Sequence, residues 1–298
     1  MEWERAKNFL LVFFLLLNVV LGALLVWENS RYSITNEQER LIRTVLNRNN
    51  ISIYRIPTER FPPMRPINVT GFYYDTYALV EIFFENPAGV THTQHLGSHI
   101  FECFYSDSIM EIFHGFVSFD KPAGFAKYGD EVLLAAVHSN LSLDTARALT
   151  DVFVHAHFPD FVLDSVIHVG ASGIIEGLRL TYRQNYHGML VHSNFVEFFV
   201  EDIGIVAIEM EFGEILGHTG SPSMISSPDE ALLAFVQRMR HITPERPMII
   251  THMDLVFFQE YVSDQPGPYQ AVPFYRIFIE GDEDRPFLIN AFTNTIID

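Results

Sequence analysis

The chain has 298 residues, 48% hydrophobic and 19% charged, which is too apolar for a disordered polymer and too polar for a multi-span membrane protein. Its 37 acidic residues against 19 Lys and Arg give a net charge of −18, so the surface repels phosphate backbones and nucleic-acid binding is excluded as an expectation. One cysteine, Cys103, excludes an internal disulfide and a cysteine-rich zinc site.

Residues 1–8 carry Arg5 and Lys7 and read as a short cytoplasmic tail. Residues 9–27, from Phe9 to Trp27, contain one strongly polar side chain, Asn18. At about 1.5 Å per residue this run matches the roughly 30 Å of bilayer hydrocarbon. It is longer than the about 7–15 apolar residues of a cleavable signal, and it ends in Leu24-Leu25-Val26-Trp27-Glu28 with no small-x-small site. The expectation is an uncleaved transmembrane signal anchor in the cell membrane, N-terminus cytoplasmic and the bulk of the chain extracytoplasmic. Asn18 lies one turn before Gly22 on the same helix face, and Leu11 and Leu15 extend the stripe. That stripe suits a partner helix, since an amide gains from an interhelical hydrogen bond and a small residue lets backbones approach. The other reading is one tolerated Asn, worth about 0.6 kcal/mol.

Residues 28–70 read as a juxtamembrane helix and a Pro-rich spacer. Thr35 and Gln38 have capping-box spacing ahead of an apolar stripe of Leu41, Ile42, Val45 and Leu46. Pro57, Pro62, Pro63 and Pro66 then favour extended backbone. Residues 71–140 read as a first β-rich α+β subdomain, with strands expected over Tyr77 to Phe84, Ile112 to Phe119 and Val132 to Val137. In residues 141–298 two helices begin with one Ser-x-Asp-x-Ala frame, at Ser142 and Ser227, each followed by a run of strands. Pro228 suits the first helical position and Glu230 completes a capping box. The fold class expected is α+β: an N-terminal transmembrane helix, then an ectodomain of tandem antiparallel-sheet units, each with a helix.

Chemistry-bearing motifs are sparse. Of 13 histidines, His92, His95 and His99 with Glu102 form the densest cluster, but Gly and Thr neighbours disfavour the helix that would bring them together. Ser118 and Lys121 match a Ser-x-x-Lys frame that Pro122 and Gly124 spoil as a helix. The stretch Gly170-Ala171-Ser172-Gly173 reads as a hairpin turn instead of a nucleophile elbow. Glu209 and Glu211 share one strand face and read as a solvated charged edge. His155 and His157 suit the dipole at a helix end. No catalytic, metal or cofactor residue is assigned.

A distributed set of segments carries a resemblance. It comprises Met1-Glu2-Trp3-Glu4-Arg5-Ala6-Lys7, Leu17-Asn18 and Leu21-Gly22, the Ile56-Pro57 to Pro66 spacer, and Phe158-Pro159-Asp160-Phe161. It continues with Leu180-Thr181-Tyr182-Arg183-Gln184, Gly188, Ser227 to Ala231, Val272 to Ile277, and Ile289-Asn290-Ala291-Phe292-Thr293. Together they resemble the YycI (WalI) family, membrane-anchored regulators of WalK-type (YycG) sensor histidine kinases in low-GC Gram-positive bacteria. Where that family usually has Pro-x-Trp-Arg and Asn-Ala-x-Thr-Gly, this chain has Tyr275 and Asn294, and Asn tolerates the left-handed turn that glycine supplies. The resemblance implies a non-enzymatic regulator of the cell envelope two-component system. Its single span would pack beside the kinase's helices, and its ectodomain would work with a YycH-like protein. No catalytic residue, cofactor or small-molecule substrate is implied, and the predicted partner-binding residues are Asn18, Gly22, Leu11 and Leu15. The competing readings are an extracytoplasmic metal-dependent hydrolase built on the histidine cluster and a cell-wall-binding module using exposed aromatics among 27 Phe and 12 Tyr.

Overall fold

The computed structural model describes residues 2–31, 34–57, 61–71, 75–95, 100–113, 116–125, 141–170, 177–240, 247–259 and 268–297. The chain is α+β, with mostly antiparallel strand pairing and five α-helices among the described residues. It divides into two compact units. One comprises Met1–Met64, Pro222–Asp254 and Tyr275–Asp298, and the other Arg65–Ser221 and Leu255–Phe274.

The first unit begins with helix α1, Glu2–Arg31. Among the described residues no helix is long and apolar enough to cross a membrane. The described side chains of α1's apolar run stop at Gly22, and those of residues 23–27 lie outside the described set. Helix α2, Asn36–Arg48, starts where the capping box predicts: Thr35 Oγ1 accepts from the Gln38 amide at 3.3 Å, and the Gln38 side chain accepts from the Thr35 amide at 3.0 Å. Its buried face is Ile42 and Leu46, while Leu41 stays exposed, so the apolar stripe is narrower than its sequence suggests.

Arg43 of α2 donates to the Ile53 carbonyl at 2.9 Å and thereby ties the helix to strand β1, Ile51–Ile53. β1 runs parallel to the first part of β12, Met248–Gln259. The unit's remaining strands are the second part of β13, Tyr269–Ile279, with β14, Asp282–Asn290, and β15, Thr295–Ile297. Helix α5, Pro228–Met239, buries Ala231, Leu232, Phe235, Val236 and Met239, one face at helical period. Its start is set by Glu230, whose carboxylate accepts from the Ser227 amide at 2.7 Å. Asn294 has φ 57°, the left-handed conformation that asparagine tolerates better than most residues.

In the second unit the strand order is β11-β2-β13-β12-β9-β10-β6-β5-β4-β3, with β7-β8 joined to β9. The outer strands are β2, Ile67–Val69; β3, Thr91–His95; β4, Ile100–Tyr105; β5, Ser108–Phe113; and β11, Ile215–His218. The inner ones are β6, Phe116–Phe125; β8, Gly177–Tyr186; β9, Met189–Glu201; and β10, Gly204–Glu211, and β7, Phe161–Val169, pairs with β8. β9 is the hub, pairing antiparallel with β8 and β10 and touching β12 at Phe257↔Val191.

Helices α3, Thr76–Phe83, and α4, Leu143–His157, contribute to the same core as one face of the central strands. α3 corrects an expectation, since Tyr77 to Phe84 reads as a strand in the sequence. Asp75 accepts from the Tyr77 amide at 3.0 Å, and Leu79, Val80 and Phe83 are buried at helical spacing, so the cap and the packing override β propensity. The core is aromatic: Phe83 stacks on Phe119 at 4.9 Å between centroids and lies 5.9 Å from Phe153, which meets Phe198 at 5.4 Å. Each such buried ring contributes on the order of 1.5–3 kcal/mol by burial. Val132 to Val137 lies outside the described residues.

Candidate functional site

Asn18, Gly22, Leu11 and Leu15 all sit on α1 and are all exposed, Leu11 at 58% and Leu15 at 63%. Asn18 Nδ2 donates to the Phe14 carbonyl at 2.8 Å, a bond within its own helix. A Cβ on Gly22 would meet no atom within 4 Å. Phe9, Leu10, Phe13, Phe14 and Leu16 are exposed too, so the described apolar surface runs all round the helix.

Of the histidine cluster, the described members His92 and Glu102 do not come together. His99 lies outside the described residues, as does the side chain of His95. His92 pairs with Cys103 across β3 and β4, its Nδ1 3.4 Å from the Cys103 sulfur, whereas Glu102 pairs with Thr93. Consecutive strand residues point to opposite faces, so Glu102 and Cys103, and with them Glu102 and His92, leave the sheet on opposite sides. Among the described residues no three His, Cys, Asp or Glu side chains are grouped to hold a metal ion. Ser118 and Lys121 both lie on strand β6, and Lys121 is engaged with Glu85 at 2.7 Å, so the Ser-x-x-Lys geometry is not formed.

A site the sequence reading missed lies in the second unit, on the polar face of β8, β9 and β10. The segment from Leu180 to Arg183 explains it by alternation. Leu180 and Tyr182 enter the core, where the Tyr182 hydroxyl meets Thr150 at 2.7 Å and donates to Asp151 at 2.8 Å. Thr181 and Arg183 take the other face. On that face Thr181, Glu197, Glu209, Ser118, Glu111 and Glu102 follow one another in register across β8, β9, β10, β6, β5 and β4. Two like-charge pairs, Glu197 opposite Glu209 and Glu111 opposite Glu102, therefore stand directly across from each other, an arrangement that destabilises a sheet.

Part of this face forms a cavity of about 370 Å³ lined by Thr181, Arg183, His192, Ser193, Phe195, Glu197, Glu209, Glu211, Phe258 and Gln259. Arg183 is committed to Asp164 at 2.8 Å and to the His192 carbonyl. Glu197 accepts from the Thr181 hydroxyl at 2.6 Å and lies 3.7 Å from Arg179. Neither Glu209 nor Glu211 makes a hydrogen bond or ion pair among the described residues. Burial pushes both carboxyls above the ordinary range, and Glu197 and Asp120 push Glu209 further while Arg179 opposes them. The expectation of a solvated edge for Glu209 and Glu211 is thus overturned: β10 is an interior strand between β9 and β6, and both side chains are half-buried. Their spacing signalled a shared face; only the pairing shows what that face meets.

A larger cavity, about 690 Å³, is lined by residues that include Phe158, Asp160, Gln184, Tyr186 and Phe212. Phe158 and Phe212 meet edge-on at 5.3 Å there, and the acidic lining residues are Asp160 and Glu214.

No protein-family model matches this chain, and no curated protein matches it. It is similar in structure to an uncharacterized protein from Eubacterium rectale ATCC 33656, with TM-score 0.53 and 11% sequence identity, over 83% of this chain and 89% of that one. At that identity the likeness shows a shared α+β fold alone.

Proposed function

We propose that this chain is a membrane-anchored, non-enzymatic regulator of a WalK/YycG-type sensor histidine kinase. In this reading α1 crosses the membrane with its N-terminus cytoplasmic, and the rest of the chain works outside beside a YycH-like protein. The observation that carries the proposal is the α1 surface. Apolar side chains from Phe9 to Leu21 are exposed on every side, interrupted by an Asn18 whose amide is bonded within the helix and followed by an open Gly22. Such a surface is stable in hydrocarbon and unstable in water, and its Asn and Gly give a second helix a polar contact and a close approach. The order of elements supports the tandem reading of the ectodomain: α4 precedes the β7–β10 meander, and α5 precedes β12–β15.

Biasing a kinase between two states requires a coupling of about 1–3 kcal/mol, within reach of a few interhelical contacts. The test is affinity capture of the full chain from membranes, beside a version lacking residues 1–27 and an Asn18→Leu/Gly22→Leu variant. A histidine kinase recovered with the full chain, reduced with the variant and absent with the truncation is the expected result. Equal recovery with all three, or no kinase with any, overturns the proposal.

A further inference from the structure

We infer that the cavity bounded by Glu197, Glu209, Glu211, Phe258 and Gln259 binds an organic cation, the guanidinium or primary ammonium group of an arginine- or lysine-type molecule or side chain. The inference is independent of the kinase reading and of α1.

Charge is the first argument. Glu197, Glu209, Glu211, Asp120 and Asp164 surround this region against the guanidiniums of Arg179 and Arg183, and Arg183 is held by Asp164 at 2.8 Å. Two carboxylates stay without a hydrogen-bonding partner among the described residues, side by side on one strand face. Native sheets avoid like charges directly opposite one another, as Glu197 and Glu209 are, unless something offsets the repulsion.

The second argument does not depend on acidity. Gln259 lines the same cavity, is 4% exposed, and has neither its amide nitrogen nor its amide oxygen hydrogen-bonded; the Ser193 hydroxyl beside it is likewise buried and unbonded. Leaving an amide's donor and acceptor both unsatisfied in the interior is costly, and such groups mark sites completed by something else. A cation with several N–H donors attached to a group with an acceptor satisfies Glu209, Glu211 and both ends of Gln259 together.

Shape and chemistry select an organic ion. The aromatic ring of Phe258 forms part of the wall, and an aromatic face attracts a guanidinium or ammonium group. The volume, about 370 Å³, falls within the roughly 300–1,000 Å³ of small-molecule sites. A bare divalent ion fits less well, because these carboxylates are not grouped as metal ligands.

The test is isothermal titration of the full chain in lipid nanodiscs with L-argininamide, L-citrullinamide, in which an uncharged urea replaces the guanidinium, N-acetyl-L-arginine N-methylamide, and calcium alone. Argininamide is expected to bind in the micromolar-to-millimolar range, at least about tenfold more tightly than citrullinamide. Equal binding of the capped arginine derivative identifies a side chain presented by a protein as the source, and argininamide binding at least about tenfold tighter than the capped derivative identifies a free molecule that carries an α-ammonium beside its guanidinium. Glu209→Gln/Glu211→Gln and Gln259→Leu should each weaken argininamide binding about tenfold. Unmutated protein supplies a readout that needs no variant. Binding a cation lowers the carboxyl pKa values, so protons are released, and the measured heat changes between buffers of different ionisation enthalpy near their titration midpoint. No argininamide binding, citrullinamide binding as tightly, calcium binding in its place, or binding without proton release overturns the inference.

Discussion

The Arg276 guanidinium, 1% exposed, grips both carboxylate oxygens of Asp254, with Nε 2.9 Å from Oδ1 and Nη2 bonded to Oδ2, while its planar end lies 5.1 Å from the Phe278 ring centre. Arg276 follows Pro273-Phe274-Tyr275 on β13, and Tyr275 beside it donates to the Ser226 carbonyl at 2.7 Å. A buried guanidinium cannot deprotonate, so its partner is obligatory.

Asp254→Ala should therefore destabilise the protein by about 2–4 kcal/mol, since it strands a buried charge. Asp254→Glu should recover part of that loss. Urea titration measures both, and a shift in stability below about 0.5 kcal/mol for the alanine variant contradicts the role assigned to the pair.

Glu209 and Glu211 predict a pH dependence. Their folded pKa values lie above the ordinary 4.5, so the protonated forms fold without penalty and the ionised forms carry one. Their contribution to stability is full below 4.5 and is lost as pH rises through the raised folded values. Glu197 and Asp120 enlarge the effect on Glu209, and Arg179 reduces it. Glu209→Gln/Glu211→Gln should melt at a higher temperature than the parent at neutral pH, with the gap closing in acid. A gap that is constant with pH contradicts the assignment.

Gly213 has no room for a side chain. A Cβ there would stand 2.2 Å from the Thr70 carbonyl oxygen, in backbone that Thr70 and Glu214 hold through two bonds of 2.8 Å. The fully buried Asn194 pins Gly213 from the other side, donating to its carbonyl at 2.9 Å. Gly213→Ala should cost about 1–3 kcal/mol, read as a lowered melting temperature. The same substitution at Gly22, where space is open, should leave the melting temperature unchanged.

Cys103 should be inert in the folded protein. It is fully buried, and burial pushes its thiol up to about 11 from 9.0, which lowers the thiolate fraction about a hundredfold at neutral pH. Iodoacetamide labelling should be slow natively and fast in urea, and comparable rates contradict the burial.

Much of the local architecture was legible because its signals are local. Thr35 and Ser142 announce two helix starts through hydroxyls that accept from backbone amides three residues on, and Glu230 announces the third by accepting from the Ser227 amide three residues back. The strand Phe161–Val169 and the strands around Leu178 to Arg183 and Val196 to Val200 announce themselves by composition. Tyr77 to Phe84 misled because β-rich composition and a short helix share the same residues, and only Asp75's cap and a core to pack against separate them.

What the sequence by itself determined is the acidic charge, the lone thiol, the caps, the alternation along each strand, and the run of apolar side chains on α1, since each depends on residues within a few positions of one another. Tertiary structure alone decided that His92 and Glu102 part to opposite faces, that Asp254 finds Arg276, and that Glu209, Glu211 and Gln259 share a cavity. Those meetings follow from strand register and sheet order, which the whole core selects when it closes and which no short stretch of chain encodes.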